Sequence, residues 1–200
     1  AFHLGVWGAA TLSLEQFAVR AKAADRLWRP VSWLSISLAA LVLTRPESIA
    51  CAVVYAATAA WLTRGRGARR VAAIGLLSLA GSAFALAGLA SVNRLLTGEW
   101  AQAGAIAKLA LYDPYATSAE KLTDWVVNLK HVLLTSAGHH FADRKWFGLI
   151  VPLAALAPLF SRLTRGRALI VWAQIVGWVL LISLNGQVRW QNERYAMSAV

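Results

Sequence analysis

Apolar stretches rich in Ala, Leu, Val, Ile and Trp alternate along the chain with short segments crowded with arginine and lysine. The basic segments cover residues 20–29, 64–70 and 162–167, and together they hold eleven basic residues against the single acid Asp25. Basic residues gather at the cytoplasmic ends of membrane-spanning helices. The pattern therefore predicts an all-α protein, a polytopic bundle of transmembrane helices whose three basic segments face the cytoplasm.

Two of the apolar runs are too short to cross a bilayer separately. They cover residues 31–44 and 48–62, and at about 1.5 Å per residue each extends only about 21–23 Å, less than the roughly 30 Å hydrocarbon core. Basic segments flank both outer ends, so we expect a short helical hairpin with its Arg45-Pro46-Glu47 apex near the external face. The other runs predict a first helix over residues 4–26, spans over 71–96, 146–160 and 168–184, and a further span from Tyr195.

Small residues and prolines are expected to shape two of these spans. Pro152 and Pro158 predict kinks in the 146–160 span, since proline removes a helical hydrogen bond. In the 71–96 span, small residues recur at helical spacing, which predicts close approach by neighbouring helices. They are Gly75, Ser78, Ser82, Ala85 and Gly88.

Residues 97–145 form a more polar segment in which five basic residues meet five acids. This balance, so unlike the basic segments, predicts an external loop. Within it, Thr117-Ser118-Ala119-Glu120 is a capping-box pattern. Apolar residues then follow at helical spacing from Leu122 to Leu133. They predict an amphipathic helix that lies on the outer membrane surface or packs against the transmembrane bundle.

Composition agrees with a membrane protein and argues against nucleic acid as a partner. Hydrophobic residues make up 58% of the chain and charged residues 14%, whereas soluble domains carry about 25% charged residues. The net charge of +11 is split among separate segments instead of forming one patch. The chain begins at Ala1 and its one methionine is Met197. We therefore expect residues 1–200 to be a single transmembrane domain, an internal fragment of a larger one.

The hairpin apex carries the sharpest functional signal. Pro46 disfavours helical geometry at Arg45, so the break between the two short helices has a local cause. Arg45 and Glu47 then lie together at a helix end inside or beside the membrane, where charge is costly and usually functional. The alternative is a structural ion pair that stabilises the turn.

Three short motifs resemble those of bacterial GT-C-type membrane glycosyltransferases. Leu43-Thr44-Arg45-Pro46-Glu47 resembles their LTRPEG stretch, with Ser48 in place of the glycine. Residues 97–108 are similar to a segment of some members that ends in Ala-Lys, here Ala107-Lys108. Glu193-Arg194-Tyr195, at the start of an apolar run, resembles the family's RY..P element, with Ser198 in place of the proline.

The resemblance implies transfer of a sugar from a polyprenyl-phosphate donor to an envelope glycan or lipid on the external face. Such a reaction needs cations that stabilise the leaving phosphate. The implied phosphate-binding residues are Arg45, Lys108 and Arg194, with supporting roles for Glu47, Tyr195 and Arg189. For each residue, a snorkelling or solvated side chain is the competing interpretation.

Other chemistry is less supported by the sequence. The family's carboxylate base lies near its N-terminus, a region this chain is expected to lack, so no base is assigned. Asp113, before Pro114, is either an acceptor contact or a turn residue. His139, His140 and Asp143 favour a loop over a metal site. No cofactor is predicted, and a role for a divalent metal stays open.

The bilayer, the donor and the acceptor are the expected partners, and the bacterial inner membrane is the expected location. A transporter or flippase for a lipid-linked substrate is the alternative, because it too would place charges at broken helices. A non-catalytic membrane scaffold is a third possibility.

Overall fold

The computed structural model describes residues 2–23, 26–100, 113–136, 150 and 153–184. They belong to two compact units, Ala1–Trp100 and Ala101–Val200. Every regular element in the described residues is helical, which confirms the predicted all-α class.

The first unit contains four α-helices and two 3₁₀ turns. Each helix predicted for this region is present. The first ends at Lys22, earlier than predicted, and the fourth begins before the predicted residue 71. Gly98, in the left-handed conformation at φ 78°, ends the fourth helix and donates its amide to the Arg94 carbonyl. The elements are α1 Phe2–Lys22, α2 Trp28–Thr44, the 3₁₀ turn Pro46–Ser48, α3 Ile49–Leu62, the 3₁₀ turn Arg64–Arg66 and α4 Ala68–Thr97.

Helix α2 packs against both α1 and α4, and α3 packs against α4. The closest approach is at Gly81, whose amide donates to Ser35 Oγ at 2.9 Å. A Cβ at residue 81 would collide with the Ser35 backbone carbonyl. Ser78 and Ser82 are fully buried on the same helix, so the predicted small-residue face is confirmed there.

The prediction is wrong at the C-terminal end of that face. Gly88 is exposed, and a Cβ there would meet no atom within 4 Å. Among the described residues, the small-residue face is therefore covered at Ser78, Gly81 and Ser82 and left open at Gly88.

Polar contacts connect the helices of the first unit along their length. The Thr11 hydroxyl lies 2.6 Å from Tyr55 Oη, joining α1 to α3. The Ser13 and Ser37 hydroxyls lie 2.9 Å apart, joining α1 to α2. Interhelical hydrogen bonds of this kind hold helices together where hydrophobic burial contributes little, as it does in lipid.

The two ends of this unit differ in chemistry. At one end, an Arg66 guanidinium nitrogen donates to the Ala21 carbonyl at 2.7 Å, so the first two basic segments meet. We call this the basic end, formed by Arg20, Lys22, Arg26, Arg29, Arg64, Arg66, Arg69 and Arg70. At the opposite end, the start of α1 meets the junction between α2 and α3 through a hydrogen bond from His3 to Thr44.

The second unit contains two α-helices in its described residues. They are α5 Ser118–His131, continued by a π-helical turn Val132–Ser136, and α6 Arg165–Ile182. The predicted capping box is confirmed, because Thr117 Oγ1 accepts the Glu120 amide and the Glu120 carboxylate accepts the Thr117 amide. Trp125 Nε1 donates to the Leu180 carbonyl at 3.1 Å, connecting α5 to α6.

The predicted 146–160 span is only partly described and is not a continuous helix where it is. Residues 150, 153 and 154 are α-helical, whereas residues 155–160 form turns, including a 3₁₀ turn at Ala157–Leu159 that contains Pro158. Proline lacks an amide hydrogen, so an α-helix is interrupted there. Pro152 lies outside the described residues.

Within the described ranges, two helices, α4 and α6, are long and apolar enough to cross a membrane. Their most apolar 18-residue windows have mean hydropathies of 1.9 and 1.4. Helices α2 and α3 are apolar but shorter, as the sequence predicted for a hairpin.

Candidate functional site

The break between α2 and α3 has the geometry predicted from Pro46. Arg45 is extended, with φ −153° and ψ 111°, while its amide still donates to the Leu41 carbonyl at 3.2 Å. The Ser48 amide then donates to the Arg45 carbonyl at 2.9 Å and starts the next helical turn. Arg45 and Glu47 are half-buried, so both charged side chains lie at the surface of the break and keep some access to its surroundings.

An imidazole that the sequence analysis did not single out joins this break. His3 Nδ1 lies 2.8 Å from Thr44 Oγ1. Thr44 Oγ1 itself donates to the Leu41 carbonyl at 2.7 Å. A hydroxyl has one hydrogen, so the Thr44 oxygen accepts and His3 Nδ1 carries the proton.

The His3 ring experiences both charges at the break. The Arg45 guanidinium and the Glu47 carboxylate act on it electrostatically with opposite sign. We call His3, Thr44, Arg45 and Glu47 the apex cluster. It combines a guanidinium, a carboxylate, an imidazole and a hydroxyl at the end of the first unit opposite the basic end. No sequence spacing connects His3 with Thr44, because they are 41 residues apart and meet only through antiparallel packing of α1 on α2.

An open groove runs along α1 and α2 next to the apex cluster. Its volume is about 380 Å³, and its surface is almost entirely apolar. Its lining residues recur at helical spacing on each helix, and small residues let it form between larger ones. They are Phe2, Gly5, Val6 and Ala9 on α1, and Trp33, Ile36, Ser37 and Ala40 on α2.

The groove leads to the apex cluster on both helices. His3 follows the lining residue Phe2, and Thr44 lies one helical turn beyond Ala40. At its other end, Ser37 is bonded to Ser13. The groove therefore occupies the segment of the α1–α2 contact that ends at the apex cluster.

The remaining predicted residues of the site, two phosphate-binding and two supporting, lie outside the part of the chain that the structure describes. These are Lys108, Arg189, Arg194 and Tyr195. Their meeting with Arg45 stays a prediction.

Asp113 has the turn geometry that was one of its two interpretations. Its Oδ1 accepts the Tyr115 amide at 2.9 Å, a local turn contact. His139, His140 and Asp143 lie outside the described residues, and within those residues no three potential metal ligands gather.

No protein-family model, curated protein or solved structure matches the sequence. Function is therefore inferred from the residues and their arrangement.

Proposed function

We propose that the protein is part of a multi-pass glycosyltransferase of GT-C type in the bacterial inner membrane. It transfers a sugar from a polyprenyl-phosphate donor to an envelope glycan or lipid on the external face. The observation that carries the proposal is the apex cluster, with half-buried Arg45 and Glu47 at a helix break beside an apolar groove.

The surface of α4 supports a membrane location. Only 17% of its most apolar window is buried, although the helix is 30 residues long. Large apolar side chains on it are exposed, among them Leu76 at 71% and Phe84 at 79%. A core helix of a soluble protein would bury such side chains, whereas lipid accommodates them. The two adjoining basic segments at one end add the charge asymmetry of a cytoplasmic face.

The apex cluster suits the electrostatic demand of glycosyl transfer. The acceptor oxygen forms a bond to the anomeric carbon, the bond from that carbon to the phosphate oxygen breaks, and the acceptor proton passes to a base. Negative charge grows on the leaving phosphate, and a guanidinium binds such oxygens with two parallel hydrogen bonds. In this proposal Arg45 supplies that group and Glu47 orients it. Lys108 and Arg194 are the further cations that the proposal requires, and Arg189 and Tyr195 are its supporting residues.

The α1–α2 groove is the proposed binding surface for the lipid part of the donor. A polyprenyl chain is apolar, and the groove ends at the apex cluster that would hold its phosphate. A water-soluble nucleotide sugar would need no such surface.

The first test is binding of polyprenyl monophosphate, the product carrier, to the protein in lipid nanodiscs. Charged hydrogen bonds contribute about 1.5–3 kcal/mol, so Arg45→Gln should weaken binding about 10- to 100-fold. Arg94→Gln is the matched control, because Arg94 is an exposed cation at the far end of α4. Equal affinities for the wild type and Arg45→Gln would remove Arg45 from the site.

A transporter or flippase for a lipid-linked substrate is the second candidate, favoured by the helix break between α2 and α3. Transporters bind substrates at interrupted helices near mid-membrane. Release of free polyprenyl phosphate from a sugar-linked donor indicates a transferase, whereas movement of the intact donor between leaflets indicates a flippase.

A further inference from the structure

The basic end brings together two segments that are distant in sequence. Arg66, in the turn before α4, donates to the carbonyl of Ala21 in the last turn of α1. Carbonyls at a helix C-terminus have no partner within the helix, and an arginine there also suits the negative end of the helix dipole. Arg66 therefore has a structural role, and it holds the other basic side chains in one region.

Those other basic side chains are exposed, and together they form a charged surface. Arg20, Lys22, Arg26, Arg29, Arg64, Arg69 and Arg70 are all exposed. In the sequence of these segments the only acid is Asp25, which lies outside the described residues. Such an excess of like charge is unfavourable unless anions approach it.

Helix α4 starts in this surface, in an arrangement that adds to the positive potential. Its N-cap is Gly67, with no side-chain cap, and Arg69 and Arg70 occupy its first turn. Helix N-termini favour negative charge, so arginines there are unfavourably placed. An anion bound at this surface would therefore interact favourably with both the backbone amides and the arginines.

Two tryptophans show at what depth this surface lies. The Arg64 guanidinium carbon is 4.1 Å from the centre of the Trp61 ring, and that of Arg29 is 5.6 Å from the Trp28 ring. Both rings are exposed, at 59% and 63%. Exposed tryptophans concentrate at the headgroup level of membranes, and the paired arginines therefore lie where lipid phosphates lie.

We propose that the basic end binds the headgroup phosphates of anionic phospholipids in the leaflet it faces. The exposed apolar side chains of α4, Leu76 and Leu77, lie about two turns further along the helix, so a lipid bound there would meet arginine at its phosphate and apolar surface along its chains. An RNA would gain nothing from that apolar surface, which is why a lipid is favoured as the partner. The inference rests on the proposed membrane location and is independent of the transferase activity.

The test is native mass spectrometry of the protein released from nanodiscs of equal parts phosphatidylglycerol and phosphatidylcholine. The wild-type protein should retain phosphatidylglycerol in preference to phosphatidylcholine. The double variant Arg64→Gln/Arg69→Gln removes two exposed cations, leaves Arg66 in place and keeps six of the eight basic residues. Because each basic residue near an anionic surface contributes about 1 kcal/mol, or about fivefold, removing two should lower the preference about 30-fold.

Arg94→Gln is the matched control, since Arg94 also pairs with a tryptophan, 5.6 Å from the Trp100 ring, at the other end of α4. As a single cation outside the basic end, it should lower the preference far less than the double variant does. Equal retention of both lipids by wild type, or an equal loss in the control, would overturn the proposal. So would binding of a single-stranded RNA oligonucleotide that depends on Arg64 and Arg69 without any lipid preference. Sugar transfer measured on the same samples tests the transferase separately.

Discussion

Gly81 is the position at which the packing of the first unit is most sharply testable. In Gly81→Ala the added Cβ would meet the Ser35 carbonyl and hydroxyl on α2. Overpacking costs about 1–3 kcal/mol, and weakening the bond from the Gly81 amide to Ser35 Oγ costs about 1 kcal/mol more. Alanine regains up to about 1 kcal/mol of helix propensity. The expected net loss is therefore about 1–3 kcal/mol.

The same substitution at Gly88 supplies the control. Both glycines lie in α4, but a Cβ at residue 88 would meet no atom within 4 Å. Gly88→Ala should leave the free energy of unfolding unchanged or raise it by up to about 1 kcal/mol. Unfolding of both variants by sodium dodecyl sulfate in mixed micelles, followed by circular dichroism, measures the difference. If Gly81→Ala unfolds at the same detergent fraction as Gly88→Ala, the close approach of α2 and α4 is wrong.

Three further predictions concern the groove, the apex and the capped helix. Gly5→Leu should fill the groove and raise the KM for the polyprenyl donor about tenfold, because the donor loses contact area comparable to that of one buried leucine side chain. Gly8→Leu, outside the groove, should leave KM unchanged. Ser48→Ala should raise the free energy of unfolding by about 1 kcal/mol, because its buried hydroxyl has no hydrogen-bond partner among the described residues. A fall in the free energy of unfolding would show that the hydroxyl is bonded. Hydrogen bonds from Thr117 lower the pKa of the Glu120 carboxyl. The cap should therefore contribute fully to the stability of α5 above about pH 4.5, the pKa of an unperturbed glutamate. That contribution should be lost as the pH falls through the lower pKa of the folded state. Amide chemical shifts should report this titration in wild type and not in Glu120→Gln.

Local chemistry made much of the fold predictable from sequence. The extended backbone of Arg45 follows from Pro46, and the start of α5 follows from the pairing of Thr117 with Glu120. Helix α4 begins and ends within a few residues of the prediction, and the glycines with positive φ that flank it, Gly67 and Gly98, explain both ends. In each case the residues that decide the structure are neighbours in the chain.

The contacts that build the candidate site were not predictable in this way. His3 meets Thr44 only because α1 packs antiparallel to α2, and the Gly81 contact depends on which helix covers that face of α4. Hydrophobic periodicity gives a helix and its apolar side but not its partner. Even the small-residue stripe was right at Ser78 and Ser82 and wrong at Gly88, because the spacing of small residues does not determine how far a neighbouring helix covers them.

The proposed transferase function depends on Arg45, which we propose stabilises the phosphate that leaves during sugar transfer. Its most direct test is turnover of a radiolabelled polyprenyl-phosphate sugar by the full-length protein in nanodiscs, with wild type, Arg45→Gln and Arg94→Gln compared at equal insertion. Loss of a charged contact that strengthens in the transition state should lower kcat/KM about 100-fold or more in Arg45→Gln and leave Arg94→Gln unchanged. Equal turnover by wild type and Arg45→Gln would contradict the account.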